Sequence, residues 1–322
     1  MSPPRLSRDS LTGAAAAPGR AVGPAAQAPR KERAAAVSIA SNLILIALKL
    51  SAGAVTGSIA IVTEAAHSGI DLLASIVAFF SVRKADEPAD ESHPYGHEKV
   101  ENLAAAIEGM LILVGAGIIV YESVRRLTEG AEVESLGVGI AVIGFSVVAN
   151  FGVSGYLYRQ AHVTDSPALL GDAAHLRTDA FTSLGVLVGL ALVEVTGSAA
   201  FDPVTALVVA AAIVFAGVRI LSRSGRVLVD EALPPDELDA VRDAIARHGA
   251  QEVVGFHKLR ARRAGSRRYV DLHVQFRDGT TLSRAHAISH ELQRAIRKRL
   301  RGADVLIHLE PEKSAGEEAK AG

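Results

Sequence analysis

His67 and Asp71 stand four residues apart, and so do His175 and Asp179. Four residues along a helix return to the same face one turn on, so each pair would offer an imidazole and a carboxylate side by side. Two such faces brought together supply four N and O donors, the tetrahedral set that suits Zn2+ at roughly 2.0–2.2 Å per ligand. Two carboxylates and two neutral imidazoles also balance the charge of a divalent ion. The chain has no cysteine, which excludes disulfides, thiolate metal sites, Cys nucleophiles and the soft ligands that favour Cu(I). Glu64 and Asp172 each lie three residues before one of the histidines, where they fit hydrogen bonding to the ligands or a wet cavity better than ligation.

The elements that carry these pairs belong in lipid. Hydrophobic residues make up 49% of the 322-residue chain, and its mean hydropathy is +0.27. Six apolar stretches near the roughly 20 residues needed to cross a bilayer as helix run over about 34–55, 58–82, 100–127, 136–159, 167–195 and 203–222. A strict hydropathy window is expected to miss the second and the fifth, because Glu64, His67 and Asp71 interrupt one and Asp172, His175, Arg177 and Asp179 the other. Ionisable groups at such positions are costly, roughly 2.5–3.5 kcal/mol each near the bilayer centre, so four without a function would be a heavy burden. The 34 Lys+Arg against 35 Asp+Glu leave no basic footprint for nucleic acid. Residues 1–33, rich in Ala, Pro, Gly and Arg, read as a disordered tail, with an organellar transit peptide as the other reading. The Lys and Arg of that tail and of the loop after the second stretch place both termini in the cytoplasm, against the counter-signal of Arg125 and Arg126.

After Leu228 the chain turns polar. A helix at 235–247, alternating strands at 252–260 and 268–276, a helix at 282–301 and a strand at 305–309 predict a small α+β domain over 229–311, of order αββαβ. Val270, Leu272, Val274 and Phe276 alternate with Asp271, His273 and Gln275, as a half-buried strand requires. The expected sheet is antiparallel with both helices on one face, followed by a disordered tail at 312–322. Lys258, Arg260, Arg262, Arg263, Arg267 and Arg268 surround a hairpin turn at Ala264-Gly265-Ser266 and read as a solvated turn, or as a contact with anionic lipid. His162 and His248 read as structural residues, and His290 as a surface residue or an alternative ligand.

With paired HxxxD motifs on the second and fifth of six spans, ahead of a polar αββαβ domain, the chain resembles the cation diffusion facilitator family of divalent metal/proton antiporters over residues 34–311. The resemblance implies an all-α six-helix transmembrane bundle over 34–228 plus a metallochaperone-like cytoplasmic domain. It also implies a homodimer in the cell inner membrane. His67, where relatives of broader specificity have Asp, implies zinc as cargo, with Cd2+, Co2+ or Fe2+ as alternatives, and disfavours Mn2+. The loop Asp90-Glu-Ser-His93-Pro-Tyr-Gly-His97 can bind a metal through its His pair and carboxylate. The bland reading is a turn shaped by Pro94 and Gly96. Similar family members place a loop site on the residues matching Asp90, His93 and His97. His257, His273, His286, His308 and Glu310 are scattered in sequence; the resemblance groups them as ligands of a binuclear site at the dimer contact, with Glu310 where several relatives have Asp. Lys99 and Asp230 match a family charge pair linking the two domains.

The expected activity is transport, not covalent chemistry: Zn2+ exchanges water for the four ligands and leaves on the far side when the bundle rocks. Protons compete with metal for the same groups, which makes Zn2+/H+ exchange the expected coupling. An intramembrane metalloprotease is disfavoured, since HExxH is absent and four ligands leave no position for a catalytic water. A passive channel, or a metal sensor acting through 229–311, are the rivals of another class.

Overall fold

The computed structural model describes residues 28–56, 59–129, 137–198, 200–248 and 252–312. Six long helices come first: α1 (Ala28–Thr56), α2 (Ile59–Ala85), α3 (Lys99–Glu129), α4 (Gly137–Thr164), α5 (Pro167–Thr196) and α6 (Phe201–Leu228). Then follow α7 (Pro235–His248), β1 (Val253–Ala264), β2 (Arg267–Phe276), α8 (Leu282–Arg299) and β3 (Ala303–Pro311). Of the tails expected at 1–33 and 312–322, residues 1–27 and 313–322 lie outside the described residues, whereas the Glu312 N–H donates to the Phe276 carbonyl at 2.7 Å and 28–33 are the first turns of α1. That start is helical because Lys31 is buried there, its Nζ 2.6 Å from Glu101 and 3.4 Å from Asp86.

Among the described residues, five helices are long and apolar enough to cross a membrane: α1, α3, α4, α5 and α6. The fifth stretch passes the hydropathy criterion that it was expected to fail, because the run Leu187-Val188-Gly189-Leu190-Ala191-Leu192-Val193 outweighs its charged first half. Helix α2, at 27 residues, is also long enough to cross, but its side chains at 59–67 lie outside the described residues, and the expectation for the second stretch lies outside them too. Helices α4 and α6 also continue to 164 and 228, past the ends of their apolar stretches. In α6 the extension carries Arg223 and Arg226, and basic side chains are favourable near a helix C-terminus.

Helices α3 and α6 pack closely. A side chain at Gly109 would meet the backbone of Leu221, so the small residue is what lets the two axes approach. Helix α5 is fixed at its start by Ser166, which accepts from the Leu169 N–H, and by Pro167 in the first turn, where its missing N–H costs nothing. Its end is set by Gly197 in the left-handed region at φ 71°. Asp165 and Ser166 alone join α4 to α5.

In the polar domain β1 pairs antiparallel with β2, but β2 pairs parallel with β3. The expectation of a purely antiparallel sheet is thus corrected, because α8 is an 18-residue crossover of the kind parallel pairing needs. Ile288, Leu292 and Ile296 of α8 and Val241 and Ile245 of α7 pack with Val270, Leu272 and Val274 in one core. Both helices therefore cover one sheet face, and Asp271, His273 and Gln275 point to the other.

Candidate metal centres

Helix α2 brings Asp71 to α5, which carries His175 and Asp179 one turn apart. Their ligand atoms all lie within 4.8 Å of one another. His175 Nε2 is 3.3 Å from Asp71 Oδ1 and 3.9 Å from Asp179 Oδ2. Ligands about 2.05 Å from a tetrahedral ion stand about 3.3 Å apart, so the first separation is already that of two zinc ligands. The side chains are 7%, 7% and 13% exposed in the order Asp71, His175, Asp179, so the three donors are buried together. His67 sits on α2 one turn before Asp71, and Glu64 three residues earlier; the side chains of both lie outside the described residues, as does that of His248.

Asp172 is fully buried and not among the converging groups. It accepts from Ser75 at 2.9 Å, and Ser75 is bonded to Ser38 and to Asn42, whose amide also reaches the Asp71 carbonyl at 3.4 Å. This α1–α2–α5 hydroxyl and amide network fixes the two metal-bearing helices against each other.

Outside the bundle, Asp90, His93 and His97 converge in the loop between α2 and α3. The His93 and His97 rings approach to 3.1 Å, His93 Nδ1 lies 3.2 Å from Asp90, and His97 Nε2 lies 3.3 Å from it. Each separation is close to that of two ligands on one tetrahedral ion, although the two histidines approach different oxygens of Asp90, Oδ1 for His93 and Oδ2 for His97. The His93 backbone N–H, donating at 2.6 Å, is the main cause that holds the Asp90 carboxyl below its usual range, so it stays ionised and able to ligate.

On the helix-free face of the sheet, strand register sets three histidines in a row: His257 opposite His273, and His273 opposite His308. Glu310 bridges them, with Oε2 2.7 Å from His257 Nε2, Oε1 2.6 Å from His273 Nδ1 and His308 Nε2 at 3.7 Å. Hydrogen bonds from His273, and then from His257, pull the Glu310 carboxyl down to about 2. His286 is not brought to this cluster. It stands on α8 with its Nε2 3.0 Å from that of His290, which in turn bonds Gln293.

Lys99, at the start of α3, lies 2.7 Å from Asp230, just past the end of α6. Asp230 adopts φ 61° and also receives Arg262 at 2.9 Å. The Lys99 hydrogen bond is the chief cause that lowers its carboxyl below the usual range.

The basic hairpin is not a solvated turn. Arg263 and Arg268 both reach Asp165 of the α4–α5 turn, at 2.9 and 3.0 Å, and Arg267 reaches Glu98 at 2.6 Å. The Gly265 N–H donates to Asn102 at 2.8 Å, and the Tyr269 hydroxyl donates to the Tyr95 carbonyl at 2.6 Å. Gly265 has φ 53°, and a Cβ there would collide with the Glu98 carbonyl, so only glycine permits this approach. A charge run whose acidic partners are remote in sequence carries no signal of docking, so the amino-acid pattern alone does not reveal this contact. Glu101, bonded to Ser166, completes the same end of the bundle with Lys31.

Residues 35–229 match the cation efflux transmembrane domain family, and residues 233–312 match the cation efflux protein cytoplasmic domain. An uncharacterised transporter of Synechocystis sp. is 36% identical over 277 residues, covering 86% of this chain and 89% of its own length. The cation-efflux pump FieF of Yersinia pestis is 33% identical over 289 residues, covering 88% of this chain and 94% of its own. Among solved structures, the metal-bound C-terminal domain of the CzcD transporter from Thermotoga maritima matches with 23% identity and a TM-score of 0.23, over 25% of this chain and 92% of that one. The two family matches and the full-length relatives show that the chain belongs to the cation diffusion facilitator family, as a multi-pass membrane transporter of the cation-efflux type and not an enzyme.

Proposed function

We propose that the chain exports Zn2+ in exchange for protons, by alternating access at a site made of His67, Asp71, His175 and Asp179. The convergence of Asp71 from α2 with His175 and Asp179 from α5, buried between membrane-spanning helices, carries this reading. The described donors are one imidazole and two carboxylates, and His67 on the next turn of α2 supplies the fourth in a set that suits zinc. Export as the direction is supported by relatives named as cation-efflux pumps.

Metal forces its ligands to deprotonate, so an ion arriving displaces protons and an ion leaving frees the groups to take them up. Helices α2 and α5 are the elements whose relative movement would expose the site to each side in turn. The transmembrane unit is residues 34–228 and the metal-binding and dimerisation unit is 229–311, with both termini on the cytoplasmic side of the inner membrane. The start of α1 and the end of α6 lie at one end of the bundle, beside the αββαβ domain, which supports the last point.

The polar domain forms a homodimer through its helix-free face. His257, His273, His308 and Glu310 bind zinc there, and His286 contributes from across the two-fold axis. Asp90, His93 and His97 form a further cytoplasmic zinc site. The second reading, broader efflux of Cd2+, Co2+ or Fe2+ by the same site, is separated by metal-resolved uptake into proteoliposomes, with Asp179→Ala as the inactive control. Zn2+ uptake is expected to exceed the others, and Mn2+ uptake above Zn2+ would overturn the selectivity. Metal flux with no proton flux would instead favour a passive channel.

A further inference from the structure

A cavity of about 540 Å³ opens between α4, α5 and α6, with the β1–β2 hairpin at one end. Its long walls are apolar, with Phe181 and Val208 among them, 46% and 68% exposed. The hairpin end is basic: Arg177, Arg219, Arg223 and Arg263 line the cavity, against one carboxylate, Asp165. Asp165 is already engaged by Arg263 and Arg268. Arg219 and Arg223 have no ion pair among the described residues, and Arg177 has no acidic partner there either, its guanidinium resting 5.3 Å over the Tyr158 ring. Arg223 sits within electrostatic reach of Arg263, Arg219 and Arg226 and of the single carboxylate Asp165, so cations outnumber anions in the cleft.

The arginines also have a defined depth. At 1.5 Å per residue, Arg223 and Arg219 lie about 8 and 14 Å inside the end of α6 that meets the polar domain, and Arg177 about 15 Å inside the start of α5. That range runs from the headgroup layer into the outer hydrocarbon, within reach of side chains that extend toward the surface. A cleft with four guanidiniums against one carboxylate repels a divalent cation, which separates it from the metal path. Its chemistry selects a phosphate on an apolar tail.

We propose that this cleft binds an anionic phospholipid, with its phosphate on Arg219 and Arg223 and an acyl chain along the apolar wall of α5 and α6. Basic pockets between transmembrane helices on the cytoplasmic side are suited to such headgroups, and bidentate guanidinium–phosphate pairing gives the contact its geometry. The site is independent of the metal reading.

Native mass spectrometry of the full chain in detergent tests it, with dioleoyl-phosphatidylglycerol titrated in parallel with dioleoyl-phosphatidylcholine. Phosphatidylglycerol is expected to bind about tenfold tighter. The Arg219→Gln/Arg223→Gln variant is expected to lose about thirty-fold in affinity for it, at roughly fivefold per arginine, and about threefold for phosphatidylcholine, whose phosphate is offset by its own choline, so that the preference between the two lipids disappears. Arg226→Gln, outside the cavity and paired with Glu231 at 3.0 Å, should bind as the parent does. If the double variant does not fold, Arg223→Gln alone is read against its fivefold expectation. Equal binding of the two lipids, full retention by the variants, displacement by millimolar inorganic phosphate, or a change of oligomeric state in place of lipid loss would each overturn the proposal.

Discussion

His175 Nε2 on α5 lies 3.3 Å from Asp71 Oδ1 on α2, across 104 residues of chain. The two groups form one chemical unit contributed by two helices, so their effects on metal transport should not add. Asp71→Asn and His175→Ala are each expected to lower transport by two orders of magnitude or more, while the double variant falls no further. Initial rates of Zn2+ uptake measure this double-mutant cycle, and independent, additive losses would mean that the two residues do not share an ion.

Lys31 should matter for stability more than its place at the start of the first helix implies. It is 2% exposed and neutralises Glu101, itself 1% exposed, so Lys31→Ala leaves a buried carboxylate without its partner. Losses of that kind run to about 3–5 kcal/mol. Thermal unfolding in detergent should show a strongly destabilised variant, and adding Glu101→Gln to it should restore part of the loss.

Gly265→Ala probes the docking of the hairpin on the bundle. Gly279→Ala is the control, because both glycines have positive φ, 53° and 84°, but only the first would meet a neighbouring atom. The left-handed conformation costs about 1–2 kcal/mol for an L residue in either case. Limited proteolysis between α6 and α7 should rise for Gly265→Ala beyond the control, and equal rates would show that the Glu98 contact contributes nothing.

The sheet cluster should respond to both metal and pH. At a hundredfold excess of zinc over its Kd, binding to the native state adds about 2.7 kcal/mol of stability, and His257→Ala or His273→Ala should remove most of that gain in a thermal-shift measurement. Glu310 has a folded-state value of about 2, below the roughly 4.3 of an unfolded glutamate. Its contribution is therefore present above about 4.3 and is lost as pH falls from there through about 2. In metal-free buffer the stability gap between the parent and Glu310→Gln should close over that interval, and a gap independent of pH would remove the hydrogen-bonded carboxylate as its cause.

Those parts of the molecule that follow from local pattern are legible in the amino-acid sequence. The i, i+4 spacing of His175 and Asp179 fixes their shared face, and the alternation from Val270 to Phe276 predicts both the strand and its buried side. The loop triad is legible because Asp90, His93 and His97 are close in sequence. What depends on long-range pairing is not. Nothing around His308 states that β3 runs parallel to β2, yet that register is what puts His308 beside His273. Arg263 and Arg268 find Asp165 across about a hundred residues, and Lys31 finds Glu101 across seventy. The helical start of α1 is hidden for the same reason, since an Ala, Pro and Arg composition does not reveal that one lysine is buried.

The most direct test of the transport site is Zn2+ uptake into proteoliposomes under an imposed pH gradient, with a trapped pH indicator reporting proton movement and Asp179→Ala in parallel vesicles. The account predicts zinc accumulation that rises with the gradient, protons moving opposite to the metal, and neither flux in the Asp179→Ala vesicles. Equal zinc uptake at every gradient, or undiminished uptake by Asp179→Ala, would contradict it.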